Sequence, residues 1–157
     1  MSFVGDVVTR VGRQSVRVRH DTALSQRLQN AFPFALGRID WRGVRGTRTL
    51  WAPAERALGA NSPDVPFQTL KYVPVVVAFF DEAIAAQRID DAWVAFCSDS
   101  VEEEFEIERE RLAEILALSS EIPDHKYVFS LEGRWCLMWS MEHDLYFGVA
   151  PPVPPGS

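Results

Sequence analysis

Alternation of apolar and polar residues is densest in Lys126 to Ala150, KYVFSLEGRWCLMWSMEHDLYFGVA, which predicts three consecutive β-strands. Tyr127, Phe129 and Leu131 share one face, and Glu132-Gly133 is a tight-turn pair. Trp135, Leu137, Trp139 and Met141 line one face of the next strand, with Cys136, Met138 and Ser140 opposite. Glu142-His143-Asp144 then turns into Leu145 to Val149. Apolar groups on both faces of the middle strand imply a cover on each side, or one side left open for a partner.

Upstream, Val7, Val8 and Val11 precede Gly12-Arg13, and Val16 and Val18 then alternate with Arg17 and Arg19, which predicts an N-terminal β-hairpin. Asp21 is placed to cap a short helix through Ala31, with Leu24, Leu28 and Phe32 at helical spacing, closed by Pro33. Arg38 to Trp51 is β-prone but broken by Gly43 and Gly46, the pattern of a ribbon or an irregular strand. Pro53 suits a short helical turn, and Asn61 to Pro66, with Ser-Pro and Val-Pro, reads as a loop. Pro74 to Gln87 begins with three valines yet runs fourteen residues without a breaker behind a first-turn proline, which predicts a helix. Ala92 to Cys97 reads as a strand.

Ser100 to Ser119 carries two patterns. Val101, Phe105, Leu112, Ile115 and Leu116 share a helical face, and Ser100 with Glu103 forms a capping box. Glu104-Phe105-Glu106-Ile107-Glu108, in contrast, alternates as a strand does, while Arg109 to Leu118 is helical in either reading. The longer pattern favours one helix, ended by Pro123. The expected architecture is therefore one α+β domain over residues 1–150. It has a mostly antiparallel sheet, a C-terminal three-stranded meander packed by two or three helices, and a flexible proline-rich tail, PPVPPGS, over 151–157.

A chain of 157 residues that is 47% hydrophobic and 24% charged can close such a core without disulfides or metal. Cys97 and Cys136 lie 39 apart and match no zinc or redox spacing, so they read as buried small hydrophobes in a reducing compartment, with a disulfide between them as the lesser alternative. The start, MSFVGDVVTRVGRQ, has no apolar run behind a basic segment, and Tyr72 to Phe80 is far shorter than the ~20 apolar residues of a membrane span. Cytoplasmic residence and no membrane partner are expected. The net charge of −6 is asymmetric: residues 1–60 hold ten arginines and four acids, whereas 61–157 hold six Lys/Arg and eighteen acids.

Candidate chemistry is sparse. Cys136 with His125 or His143 would make a nucleophile pair, but mid-strand cysteine has no helix terminus or strained turn to activate it. His125, His143 and Asp144 supply too few converging groups for a metal. No phosphate-cradling glycine loop or nucleophile elbow occurs. Neither a cofactor nor a catalytic residue is expected. Arg38, Trp41, Arg42, Arg45, Arg48 and Trp51 form a basic, aromatic-interleaved stretch of the kind that contacts nucleic acid, yet a pI of about 5.1 works against that partner. The sharper feature is acidic. Asp99, Glu102, Glu103, Glu104, Glu106, Glu108, Glu110 and Glu114 place eight acids in sixteen residues, which as a helix face would dock on a basic protein.

With that acidic run, no catalytic set and the WCLMWSMEHDLYFG sheet, the chain resembles the small immunity proteins of bacterial polymorphic toxin and contact-dependent inhibition systems. The resemblance implies a non-enzymatic protein that binds a cognate toxin domain, commonly a basic nuclease, and blocks it. Glu102, Glu103, Glu104, Glu106, Glu108 and Glu110 are the candidate contacts on charge, joined by Trp139 and Asp144 if one face of the meander is open. The alternative is a small-ligand or regulatory module with a pocket between the Trp135/Trp139 face and a helix.

Overall fold

The computed structural model describes residues 3–19, 23–35, 38–50, 69–98, 104–120, 122, 124–140 and 144–150. Outside them lie Asp21, Trp51, the turn at Pro53, the loop 61–66, Ser100 to Glu103, Pro123, Met141 to His143 and the tail 151–157.

The fold is α+β, built on a seven-stranded antiparallel sheet. The strands are β1 (Val16–Arg19), β4 (Arg45–Leu50), β5 (Trp93–Ser98), β6 (Glu104–Glu108), β7 (Lys126–Phe129), β8 (Trp135–Trp139) and β9 (Leu145–Val149). Their order is β1-β6-β5-β7-β8-β9-β4, so the meander β7-β8-β9 occupies one half and β1 and β4 form the edges. A separate two-stranded ribbon joins β2 (Phe34–Ala35) to β3 (Arg38–Ile39). Among the described residues the α-helices are α1 (Phe3–Val11), α2 (Ala23–Ala31), α3 (Val73–Ala86) and α4 (Leu112–Ser119).

Strand alternation divides the apolar residues between two cores. Phe96, Phe105, Ile107, Val128, Trp135, Leu137, Trp139, Leu145 and Phe147 pack under α1, α3 and α4. On the other face Ala95, Cys97, Tyr127, Phe129, Cys136 and Met138 are covered by Leu28 and Phe32 from α2 and its C-terminal end, with Ile39 and Val44. The middle strand of the meander is thus covered on both sides, and every residue of β8 is buried. Its first turn follows the expected chemistry. Gly133 has φ of +72°, a left-handed position that favours glycine, and its N–H donates to Ser130 O at 2.9 Å.

Two expectations are corrected. The N-terminal segment is not a hairpin: residues 3–11 form α1, with Val7 and Val11 one helical turn apart in the first core. Gly12, at φ +85°, ends this helix and donates to Val8 O at 2.9 Å, so the glycine that resembled a hairpin turn is a helix C-terminus. Burial of one helical face overrides the β-preference of its valines.

Nor is Ser100 to Ser119 one helix. Glu104–Glu108 is β6, paired with β1 on one side and β5 on the other, followed by a 3-10 turn at Arg109–Arg111 and then α4. The strand places Phe105 and Ile107 in the first core, while its Glu104 and Glu106 side chains alternate to the opposite face. The helix reading would have served Phe105 alone and left the ladder between β1 and β5 empty. By contrast α3 forms as expected, with Pro74 in its first turn.

Candidate functional site

Antiparallel pairing brings two acidic segments together at one end of the sheet. Trp93, which opens β5, lies opposite Glu108, which closes β6. Asp90 and Asp91 run into the first strand, and Glu110 sits in the turn that leaves the second. These residues with Ala92 and Arg109 line an open cleft of about 390 Å3. Its lining holds four carboxylates and one arginine, with Arg134 and Arg17 at its margin, so acids outnumber bases.

Its walls are held from behind. Arg109 N–H donates to Ala92 O at 2.8 Å, and Glu108 N–H to Ser15 O at 3.0 Å, fixing the ends of β5, β6 and β1 against each other. Asp91 accepts a 2.9 Å hydrogen bond from the indole N–H of Trp135, and Arg134 Nη2 lies 3.6 Å from its other oxygen. The Arg17 guanidinium stacks over the Trp93 ring, 4.1 Å from its centroid. The cleft therefore sets one fixed carboxylate, Asp91, among freer ones, beside an indole already covered by the protein's own Arg17. The lining contains no serine, cysteine or histidine, which leaves charge and shape as its means of recognition.

The residues singled out on charge separate into groups. Glu108 and Glu110 line the cleft. Glu104 and Glu106 do not: they are 4% and 5% exposed, and their removal from the surface corrects the expectation that they contact a partner. Glu106 is engaged inside the protein, with Arg17 Nε at 2.9 Å and Arg27 Nη2 at 3.6 Å. Arg27 of α2 also donates to Leu131 O in the β7–β8 turn, so one guanidinium ties helix, strand and turn together. Glu102 and Glu103 lie outside the described residues.

Trp139 is likewise buried, with Lys126 Nζ 5.2 Å from its ring centroid, and it presents no docking face. That lysine is itself enclosed, bonded to Asp124 Oδ1 at 2.8 Å and to Ile122 O at 2.6 Å. Asp144 is half-buried at the base of the β8–β9 connection, where its N–H donates to Ser140 Oγ at 3.0 Å and its carbonyl accepts from Ser140 N–H at 2.9 Å. It is far from the cleft along the strands, at the opposite end of β8 from Trp135.

Neither cysteine is joined in a disulfide, and both are buried. Burial pushes the Cys136 thiol well above its ordinary pKa, with a smaller push from Cys97, so it is the reverse of an activated nucleophile. Strand β7 separates the two cysteines. At about 4.8 Å per strand step their Cα atoms stand roughly 10 Å apart, too far for a disulfide. Among the described residues no group of three or more His, Cys, Asp and Glu side chains is arranged to hold a metal, and no helix is long and apolar enough to cross a membrane.

The basic stretch is at the far edge of the sheet. Arg38, Arg42, Arg45 and Arg48 are exposed, and Trp41 stacks on Tyr146 with ring centroids 5.3 Å apart. Arg42 is already spent on Asp40, donating from Nε at 2.8 Å and from Nη2 at 2.9 Å; these bonds lower the Asp40 pKa and raise that of Arg42. A second groove, of about 550 Å3, runs between α1 and α4, but its charges, Asp6, Arg10 and Glu114, are mixed.

Asp90, Asp91 and Trp93 were not singled out from sequence. The signal was present: once Glu104–Glu108 is taken as the antiparallel neighbour of β5, the acid pair before one strand must meet the acids that end the other. No family model matches the chain, and no curated protein or solved structure does so either.

Proposed function

We propose that the protein is a non-enzymatic binder that neutralises a basic protein domain, as the resemblance to immunity proteins implies, and that it docks through the cleft at the β5–β6 end. The observation that carries this reading is the convergence of Asp90, Asp91, Glu108 and Glu110 around Trp93 in an open cleft. Carboxylates gathered at an open rim steer a cationic partner and set its orientation. In the cytoplasm such a protein would hold a cognate toxin domain inactive.

The alternative, a small-ligand pocket beside Trp135 and Trp139, has less support. Trp135 is 1% exposed and packs against Phe80 of α3 and Phe147 of β9, so the space between sheet and helix is filled.

Calorimetry and stopped-flow mixing with any basic toxin domain found encoded beside this gene test the proposal. Tight 1:1 binding is expected. The association rate should fall steeply between low and physiological salt, because rim charges act over a screening length of about 8–10 Å. Absence of binding to any neighbouring toxin, or binding that ignores both salt and Glu108→Lys, would overturn it.

A further inference from the structure

The two edges of the sheet carry the same charge pattern, and the fold pairs only one of them with acids. At the β1 edge, Arg17 and Arg19 lie in register with Glu106 and Glu104 of β6, and the Arg17–Glu106 contact closes at 2.9 Å. An Arg-x-Arg strand is thus matched to a Glu-x-Glu strand across an antiparallel ladder. At the β4 edge, Arg45 lies opposite Val149 and Arg48 opposite Phe147.

Three positions on β4 therefore span two on β9. The extra residue is absorbed between Arg45 and Arg48, where Gly46 adopts φ +58° and Thr47 Oγ1 donates to Val44 O at 2.9 Å. The bulge turns both arginines to one face, one strand repeat of about 6.8 Å apart. Arg45 through Thr49 are exposed; Arg48 Nη1 donates a long 3.4 Å bond to Glu82 O of α3, and among the described residues no carboxylate lies within ion-pair distance of Arg45 or Arg48.

We propose that the outer edge of β4 accepts an extended polypeptide segment with acidic residues at alternate positions, added as a further antiparallel strand. Its backbone would bond the outer edge of β4, which no other strand pairs among the described residues, and two of its carboxylates would stand opposite Arg45 and Arg48, about 5 Å away between Cβ atoms, as Glu106 stands opposite Arg17. A second copy of this chain is the wrong occupant. Either of its edges, β1 or β4, would set arginine against arginine, and like charges directly opposite are unfavourable. The inference is independent of the acidic cleft, which lies at another part of the sheet and bears the opposite charge.

The test uses the full chain and a fluorescent, capped peptide that alternates glutamate with valine, read by anisotropy and amide hydrogen exchange. Binding should slow exchange along Arg48 to Leu50. The double variant Arg45→Glu/Arg48→Glu should weaken binding on the order of tenfold or more with its melting temperature retained. If that variant loses its fold, Arg45→Gln/Arg48→Gln takes its place, with a smaller loss expected. Unchanged affinity in a folded variant, equal binding of a lysine–valine peptide, or no binding at all would overturn the proposal. Preferential binding of oligothymidylate would also overturn it, since the arginines would then serve phosphates and not a strand.

Discussion

Glu106 and Glu110 are four residues apart in one acidic run, and the fold uses them in opposite ways. Glu106 is buried on β6, where Arg17 and Arg27 compensate it and its charge stitches two strands to α2. Glu110 is exposed beyond the strand end, on the rim of a cleft shared with Asp90, Asp91 and Glu108. Residue type is the same; what differs is whether the ladder continues past the residue on both sides. A carboxylate inside the ladder must be neutralised locally, because leaving it unpaired would cost several kcal/mol. One beyond the ladder remains hydrated and can act on a partner. Acidity along a sequence thus measures potential for recognition only after the strand boundaries are known.

The largest expected effect tests the buried half. Glu106→Ala removes the carboxylate that Arg17 and Arg27 share, and should lower stability by about 2–3 kcal/mol in urea unfolding. That is less than a fully enclosed pair would lose, since both arginines reach solvent. A loss below about 0.5 kcal/mol, typical of surface substitutions, would place Glu106 at the surface and erase the contrast.

Next comes pH, read on the same cross-strand row. Glu106 lies beside Ala95, which lies beside Phe129, which lies beside Cys136. Burial holds the Cys136 thiol neutral well above the ordinary value of 9.0. The unfolded chain therefore releases this proton first as pH rises, and the native state should lose stability above about pH 9, by up to about 1.4 kcal/mol per pH unit. Cys136→Ala should flatten that slope in melting-temperature measurements. An equal slope in the variant would mean that this face of the sheet is open to water.

The smallest effect on folding, and the sharpest on recognition, belongs to the rim. Glu108→Gln with Glu110→Gln should shift stability by no more than about 0.5 kcal/mol each, while slowing association with a basic domain by roughly tenfold at low salt. Stopped-flow rates compared with unfolding midpoints separate the two. A variant that binds at the native rate would move the docking surface elsewhere.

Much of the fold is legible residue by residue. The period-two pattern of Tyr127 to Val149, with the Glu132-Gly133 turn, predicts the meander as it stands, because a strand buried on both faces must be apolar at every position. Pro74 and the breaker-free run behind it predict α3. Where two periods compete, the local pattern is silent. Val7 and Val11 satisfy a helix and a loose strand alike, and Phe105 suits both a helical stripe and an alternating strand. Each was decided by a distant surface: the sheet that α1 covers, and the β1 and β5 edges that β6 joins.

The site follows the same division. Glu108 and Glu110 were visible as part of an acidic run, whereas Asp90, Asp91 and Trp93 acquire meaning only opposite them. Sequence alone determined the composition of the layers, the terminal meander, the absence of an activated cysteine signature and the excess of acid in the second half of the chain. Tertiary structure alone decided which glutamates are free. At the cleft, strand pairing brings Trp93 opposite Glu108, 15 positions on, and the free energy that chooses a register comes from burying both faces of the completed sheet, a quantity no local window contains.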